Sequence, residues 1–215
     1  METLAAIHSR FSSHSFRDKK ISWTTLGKLI TASIQAPNSG NLQSFRFVIV
    51  TKDNLKEELG KASFNQAWIA QAQVIIIICS DMTDIERYYK DNGKKYALQD
   101  ASAAAENLIL AATDLSIQSC WIGAFNEGEV SMILRLPPFV TPQIIIPLGY
   151  SDEKKTQPRH HMEFLINFNE YGNKERSPYM FPVIDKIEEK TNHAGKQAKK
   201  FSAKLKEKFK RKPKR

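Results

Sequence analysis

Cysteine is scarce in this chain: Cys79 and Cys120 are its two thiols, and both sit among apolar neighbours. Neither a disulfide framework nor a metal site is expected from them. The adjacent pair His160-His161 points its rings apart and adds no metal-ligand spacing. Glycine is sparse too, nine in 215 residues. None of the nine falls in Gly-x-Gly-x-x-Gly, Gly-x-x-x-x-Gly-Lys-Ser/Thr or Gly-x-Ser-x-Gly. That excludes a dinucleotide-binding Rossmann turn, a P-loop and a nucleophile elbow. Long apolar runs are missing as well. The longest, Val74 to Cys79, is far short of the ~20 residues that span a bilayer. No basic stretch followed by an apolar core opens the chain, so no secretory signal is expected and the reading is cytoplasmic.

What remains is enough for a folded domain: 41% of residues are hydrophobic, and the length suits one domain or one plus an appendage. The net charge of +9 is not spread evenly. Residues 186–215 hold 13 Lys/Arg and three Asp/Glu, a net of +10, whereas the preceding 185 residues are net −1. A neutral body argues against a general nucleic-acid-binding surface. The tail repeats Phe201, Leu205 and Phe209 at intervals of four. As a helix it is amphipathic, suited to an anionic membrane or to nucleic acid; it also reads as a solubilising or subunit-wrapping extension.

Periodicity predicts helices over residues 2–10, 23–33 (with Ser22 as N-cap), 53–62, 96–115 and 129–134. Strands are expected over 45–51, 73–80, 117–122 and 143–149, and a further one over 163–168. The 73–80 run reads as buried on both faces. Residues 84–89 fit neither period. The Ala-rich 96–115 helix suits close packing against a sheet or a partner helix. Strands separated by helices suggest α/β or α+β layers around one sheet.

Two segments concentrate the chemistry. Arg10-Phe11-Ser12-Ser13-His14-Ser15-Phe16 is expected to set a guanidinium, hydroxyls and an imidazole within one helical turn or a tight bend, a group that can hold a phosphate. Ala36-Pro37-Asn38-Ser39-Gly40-Asn41-Leu42-Gln43-Ser44-Phe45 is a polar, amide-rich loop running into Phe47-Val48-Ile49-Val50. Amides at the mouth of a strand can bond the edge of a flat heterocycle. A phosphate at one end and a heteroaromatic ring at the other describe a nucleotide-like cofactor.

These segments resemble the nitroreductase family of FMN flavoproteins. The family pattern Arg-x-Ser-x-Arg/Lys-x-Phe/Tyr is met by Arg10, Ser12 and Phe16, with His14 replacing the second basic residue. Its Ala-Pro-Ser-x-x-Asn-x-Gln-Pro-Trp-x-Phe loop is met by Ala36, Pro37, Asn41, Gln43 and Phe47, with Ser44-Phe45 for Pro-Trp. Asn65-Gln66-Ala67-Trp68-Ile69, Gln99-Asp100-Ala101 with Asn107-Leu108, Trp121-Ile122-Gly123-Ala124-Phe125, Leu148-Gly149-Tyr150 and Pro158-Arg159 extend the likeness over about residues 4–172.

The resemblance implies an α+β fold, a three-layer α/β/α sandwich whose mostly antiparallel sheet is flanked by helices, in a homodimer with FMN at the interface. With the charge distribution, it suggests an FMN-binding domain over residues 1–185 followed by the basic, helical or mobile tail over 186–215. Arg10 and Ser12 would hold the phosphate, with His14 in the place of a second cation. Pro37 and Ser39 would shape the loop, and Asn41 and Gln43 would meet the pyrimidine edge or ribityl chain, parts of the loop reaching across the dimer. Asn65 would meet the isoalloxazine ring or simply end a turn. Ile122, Gly123 and Ala124 would lie against the flavin face or form a strand-end turn, Gly123 permitting close backbone approach. Arg159 would be a further phosphate cation or a solvated loop arginine.

NAD(P)H would be the reductant and a small molecule such as a nitroaromatic or quinone the acceptor, in ping-pong order. No catalytic side chain is expected, because the flavin carries the chemistry. The alternatives are a tethering protein that uses its basic tail, with or without flavin, and a specialised family enzyme with a non-nitro substrate.

Overall fold

β2 (Val74–Asp81) is the centre of the molecule, and seven of its eight residues are buried. A run of four isoleucines favours the extended chain, because β-branched side chains crowd a helix and pack well on a pleated surface. The computed structural model describes residues 2–153 and 157–174 of the chain. They divide into two units between Gln157 and Pro158.

In the first unit β2 is flanked by β1 (Phe45–Val50) and β4 (Val140–Gly149), and β4 pairs in turn with the short β3 (Gln118–Ser119). The order is β1-β2-β4-β3, and every pairing is antiparallel. Alternate residues feed two cores, as the two-residue period of a strand requires. Ile76 and Ile78 of β2 join Ile144, Ile146 and Leu148 of β4 on one face. There they meet α2 (Trp23–Ile34) and α5 (Gly93–Asp114). Ile75, Ile77 and Cys79 join Ile145 on the other, against Leu59 of α3 (Asp53–Ala62) and Val130 of α6 (Glu127–Leu134). The result is the expected α+β sandwich of helix, sheet and helix. Fully burying one such isoleucine stabilises the fold by roughly 1.5–3 kcal/mol.

The Ala-rich α5 lies on the sheet and on α2. Ala101, Ala104, Ala105 and Ala112 have no exposed surface, and the Ser33 hydroxyl donates to the Ala104 carbonyl at 2.7 Å. The helix starts earlier than expected, at Gly93. A Cβ there would lie 2.9 Å from the Glu86 Cα, so glycine lets α5 begin directly on α4 (Met82–Tyr89). α4 is the segment whose pattern fitted neither period. It is helical, with the Asp81 carboxylate accepting from the Thr83 N–H at 3.1 Å as its cap. α1 (Thr3–Ser9) opens the chain.

Two strand expectations change. The ladder expected over 117–122 shrinks to two residues because Pro147 stands opposite Cys120. Pro147 accepts from the Cys120 N–H but has no N–H to return; pairing resumes as a lone bridge from Ile122 to Ile145. β4 begins before Gln143 because Pro142 is absorbed where the β2 register shifts between Ile78 and Cys79.

In the second unit the strand expected over 163–168 is instead a helical turn, α7 (Met162–Leu165). Lys174 Nζ donates to the carbonyls of Glu163, Phe164 and Ile166 at 3.2, 3.1 and 2.8 Å, satisfying the carbonyls at the end of that turn. The basic segment 186–215 lies outside the described residues.

Candidate functional site

α1 ends at Arg10, whose backbone turns extended. The following residues do not form the helical turn or tight bend expected of them. They run as an extended edge segment: Ser12 bridges Ser119 of β3, the Ser13 N–H donates to the Ser119 carbonyl at 3.0 Å, and the Arg17 N–H donates to the Tyr150 carbonyl at 2.7 Å. The extended form changes which residues share a face. Residues i, i+2 and i+4 share a face of a strand. Ser13 is wholly buried, while Ser12 and His14 are exposed and Arg10 is half-buried. Phe16 locks the segment down onto Gly149, where a Cβ would come within 2.7 Å of its ring.

Around this face lie the other pieces of one corner. The His14 ring stacks on Trp68 with centroids 4.4 Å apart. Cys120 is 6% exposed; burial raises its thiol pKa, opposed by a hydrogen bond with Ser12 and by the nearby charge of Arg10. The Arg10 side chain has no ion pair among the described residues. Gly123 is exposed, and a Cβ there would meet only Trp121 Nε1, at 3.7 Å. Ile122 is buried beneath it and Ala124 is exposed. Asn65 has a left-handed backbone at φ 60° and lines a groove of about 350 Å³ with Gly60 and Lys61. The end of its helix is tied to the 123–126 segment by the Asn126 N–H, which donates to the Ala62 carbonyl at 2.9 Å.

The amide loop occupies a different corner. Three left-handed residues, Gly40, Asn41 and Gln43, at φ 58°, 58° and 49°, coil it tightly. Two of the three are not glycine, a conformation that costs energy unless the surroundings hold it. Asp100, 3% exposed on α5, holds it. Its Oδ1 accepts from the Ser39 N–H and the Ser39 hydroxyl, both at 2.9 Å, and its Oδ2 from the Ser44 hydroxyl at 3.3 Å. The Ser39 proton is therefore already engaged, and Ser39 shapes the loop. Pro37, Asn41 and Gln43 face outward, with Gln43 Nε2 donating to Asn41 Oδ1 at 3.3 Å.

These two corners are diagonally opposite. The loop enters β1 where the Asp81 N–H donates to the Ser44 carbonyl, at the far end of β2 and on the β1 edge of the sheet. Ser12 and Phe16 sit by Ser119 and Gly149, at the near end and on the β3 edge. The eight residues of β2 alone separate them by roughly 25 Å. Within one chain they do not line one site. Arg159 is exposed and lies in the second unit, before α7. A cleft of about 730 Å³, lined by Met82, Glu86, Leu98, Glu127 and Phe139 among others, contains none of the residues singled out from sequence. Among the described residues no cluster of His, Cys, Asp and Glu could hold a metal, and no helix is long and apolar enough to cross a membrane.

A family model described as the nitroreductase family matches residues 7–69 and 61–150, which span the sheet and both corners. The chain belongs to the nitroreductase family. A protein of Archaeoglobus fulgidus, named as a candidate NADH dehydrogenase/NAD(P)H nitroreductase, is 30% identical over 158 residues, covering 72% of this chain and 88% of that protein. The FMN reductase [NAD(P)H] of Bacillus subtilis is 26% identical over 190 residues, covering 79% and 76%. The solved structure of B. megaterium NfrA2 superposes with a TM-score of 0.74 at 23% identity, over 89% of this chain and 85% of that one. That likeness is one of fold.

Three residues that shape these two corners were given no role from the sequence. Trp68 carries a signal in the Asn65-to-Ile69 likeness, but nothing local says that its ring lies under His14. Asp100 and Glu153 act on segments 56 or more residues away, and only the folded chain reveals that.

Proposed function

We propose that this chain is an FMN-dependent NAD(P)H oxidoreductase of the nitroreductase type, which passes electrons to a small acceptor and works as a homodimer. The observation that carries the reading is the half-buried Arg10, without an ion pair among the described residues, beside Ser12 on an open face. A cation held at a partly desolvated position seeks an anion. The residues present fit FMN. Arg10 neutralises the phosphate and Ser12 adds a hydroxyl. His14 presents an imidazole at the same face, held by Trp68. Gly123 leaves room for a flat ring, with Ile122 and Ala124 beside it and Asn65 at the adjoining groove.

When bound, FMN supplies the hydride and electron chemistry. The chain's own residues bind and orient it and leave one ring face accessible, so no side chain is assigned as acid or base. The roughly 25 Å between the corners supports the homodimer, because a mononucleotide held at Arg10 does not reach Asn41 and Gln43 of its own chain. In a two-fold dimer, the loop of one chain completes the site of the other.

Two measurements test this. Purified protein given FMN shows flavin absorption that bleaches with NADH or NADPH; a protein that takes up no FMN refutes the reading. For the dimer, R10A protein is mixed and reassembled with an N41A/Q43A variant. Composite sites restore activity, since one site of each mixed dimer is then wild type and about a quarter of all sites recover. No recovery on mixing places each site within one chain and overturns the shared-site assignment.

A further inference from the structure

Glu153 lies beyond the end of β4, and its carboxylate turns back onto the Arg10–Phe16 segment. Its Oε2 accepts from the Ser13 hydroxyl at 2.9 Å and from the His14 N–H at 3.0 Å. Its own N–H donates to the Ser151 hydroxyl at 3.1 Å, which sets the turn that brings it there. One charged oxygen thus ties together the side chain of one residue and the backbone of the next, both as charge-assisted bonds. Ser13 is fully buried, so its hydroxyl fixes the carboxylate from the inside while the His14 amide fixes it from the outside. In an extended segment the peptide plane at Ser13–His14 decides where the flanking side chains point. Those flanking side chains are Ser12 and His14.

We propose that Glu153 is a positioning residue for the cofactor's phosphate: it clamps the Ser13–His14 peptide and so sets the outward aim of Ser12 and His14. This rests on the assignment of Arg10, Ser12 and His14 to the phosphate of FMN. The clamp needs an oxygen acceptor but not a negative charge, and a carboxylate beside a phosphate repels it. Glutamine keeps the acceptor and removes the charge; alanine removes both and leaves the buried Ser13 hydroxyl with only the Ser15 carbonyl.

The test is a titration of flavin-free wild type, E153A, E153Q and R10A with FMN and with riboflavin, which carries the same ring and ribityl chain without a phosphate. E153A weakens FMN by about fivefold or more, the scale of one net hydrogen bond, and riboflavin by less than about twofold. E153Q binds FMN at least as tightly as wild type. If E153A leaves FMN affinity unchanged, weakens both flavins alike, or is not rescued by glutamine, the positioning role is overturned. R10A separates the two levels of the argument: wild-type FMN affinity in R10A refutes the phosphate assignment itself. Hydrogen exchange at the His14 amide reads the clamp without any flavin. It speeds up in E153A and not in E153Q, and unchanged exchange in E153A overturns the clamp.

Discussion

The two polar corners of the sheet use one device in two settings. At the loop corner, Asp100 sits on a 22-residue helix in the core, 3% exposed, and gathers three donors from a strained loop. At the Arg10 corner, Glu153 comes from a segment beyond the last strand and holds two donors of an edge segment. A buried carboxylate without a matching set of donors would be costly, so the loop and its anchor must form together. Glu153 is only partly buried, so its corner carries a smaller penalty. The difference separates a corner anchored in the core from a more open one, the corner proposed to hold the phosphate.

The largest effect is expected at Asp100. D100A removes the acceptor for three donors and costs about 3 kcal/mol of stability in urea unfolding, because the buried groups it leaves stay unpaired. A loss under about 1 kcal/mol would show that the loop holds its shape unaided. R10A does the opposite. It weakens FMN binding by more than tenfold, at least about 1.4 kcal/mol, while stability stays within about 0.5 kcal/mol. Wild-type FMN affinity would remove the phosphate from this corner.

The two thiols sharpen the contrast further. Burial pushes Cys79 up to about 12, whereas at Cys120 the rise due to burial is opposed by Ser12 and Arg10. Near pH 8 a thiol reagent therefore modifies Cys120 several-fold faster than Cys79 in the folded protein, since the thiolate reacts. R10A slows the Cys120 reaction, and equal rates at the two sulfurs would deny that Arg10 acts there.

The smallest effect is at Asp81, beside the loop corner. Partial burial raises its carboxyl pKa, but bonds from Thr83 and the charge of Arg46 outweigh this and hold it below the usual value of 3.8. A depressed carboxylate contributes stability above that value and loses it as pH falls through the lowered one. The 2.9 Å pair with Arg46 is half-exposed on the arginine side, so the contribution is about 0.5 kcal/mol. Unfolding free energies of wild type and D81N measured from pH 7 down to pH 2 should converge in acid; a constant difference would assign the effect to packing.

Much of the fold is legible along the chain. The four isoleucines of β2, the alanines of α5 and the Ser22 cap each act through near neighbours, so their period and composition are enough. The misreadings fall where a distant partner decides. Pro147 shortens β3 from across the sheet, and Lys174 caps α7 from nine residues beyond its end. The likeness to the nitroreductase family brought Arg10, Ser12, Asn41 and Gln43 to notice as one site, without saying how far apart a single chain holds them.

By itself the sequence determined helices and strands layered around one sheet, which follow from local periodicity, and the family, which follows from motifs in order. Only the tertiary structure decided that Arg10, Ser12 and the amide loop occupy opposite corners, and that Asp100 and Glu153 anchor them. Strand order and hydrogen bonds between distant segments are set by the packing of the whole sheet, which no window of sequence contains.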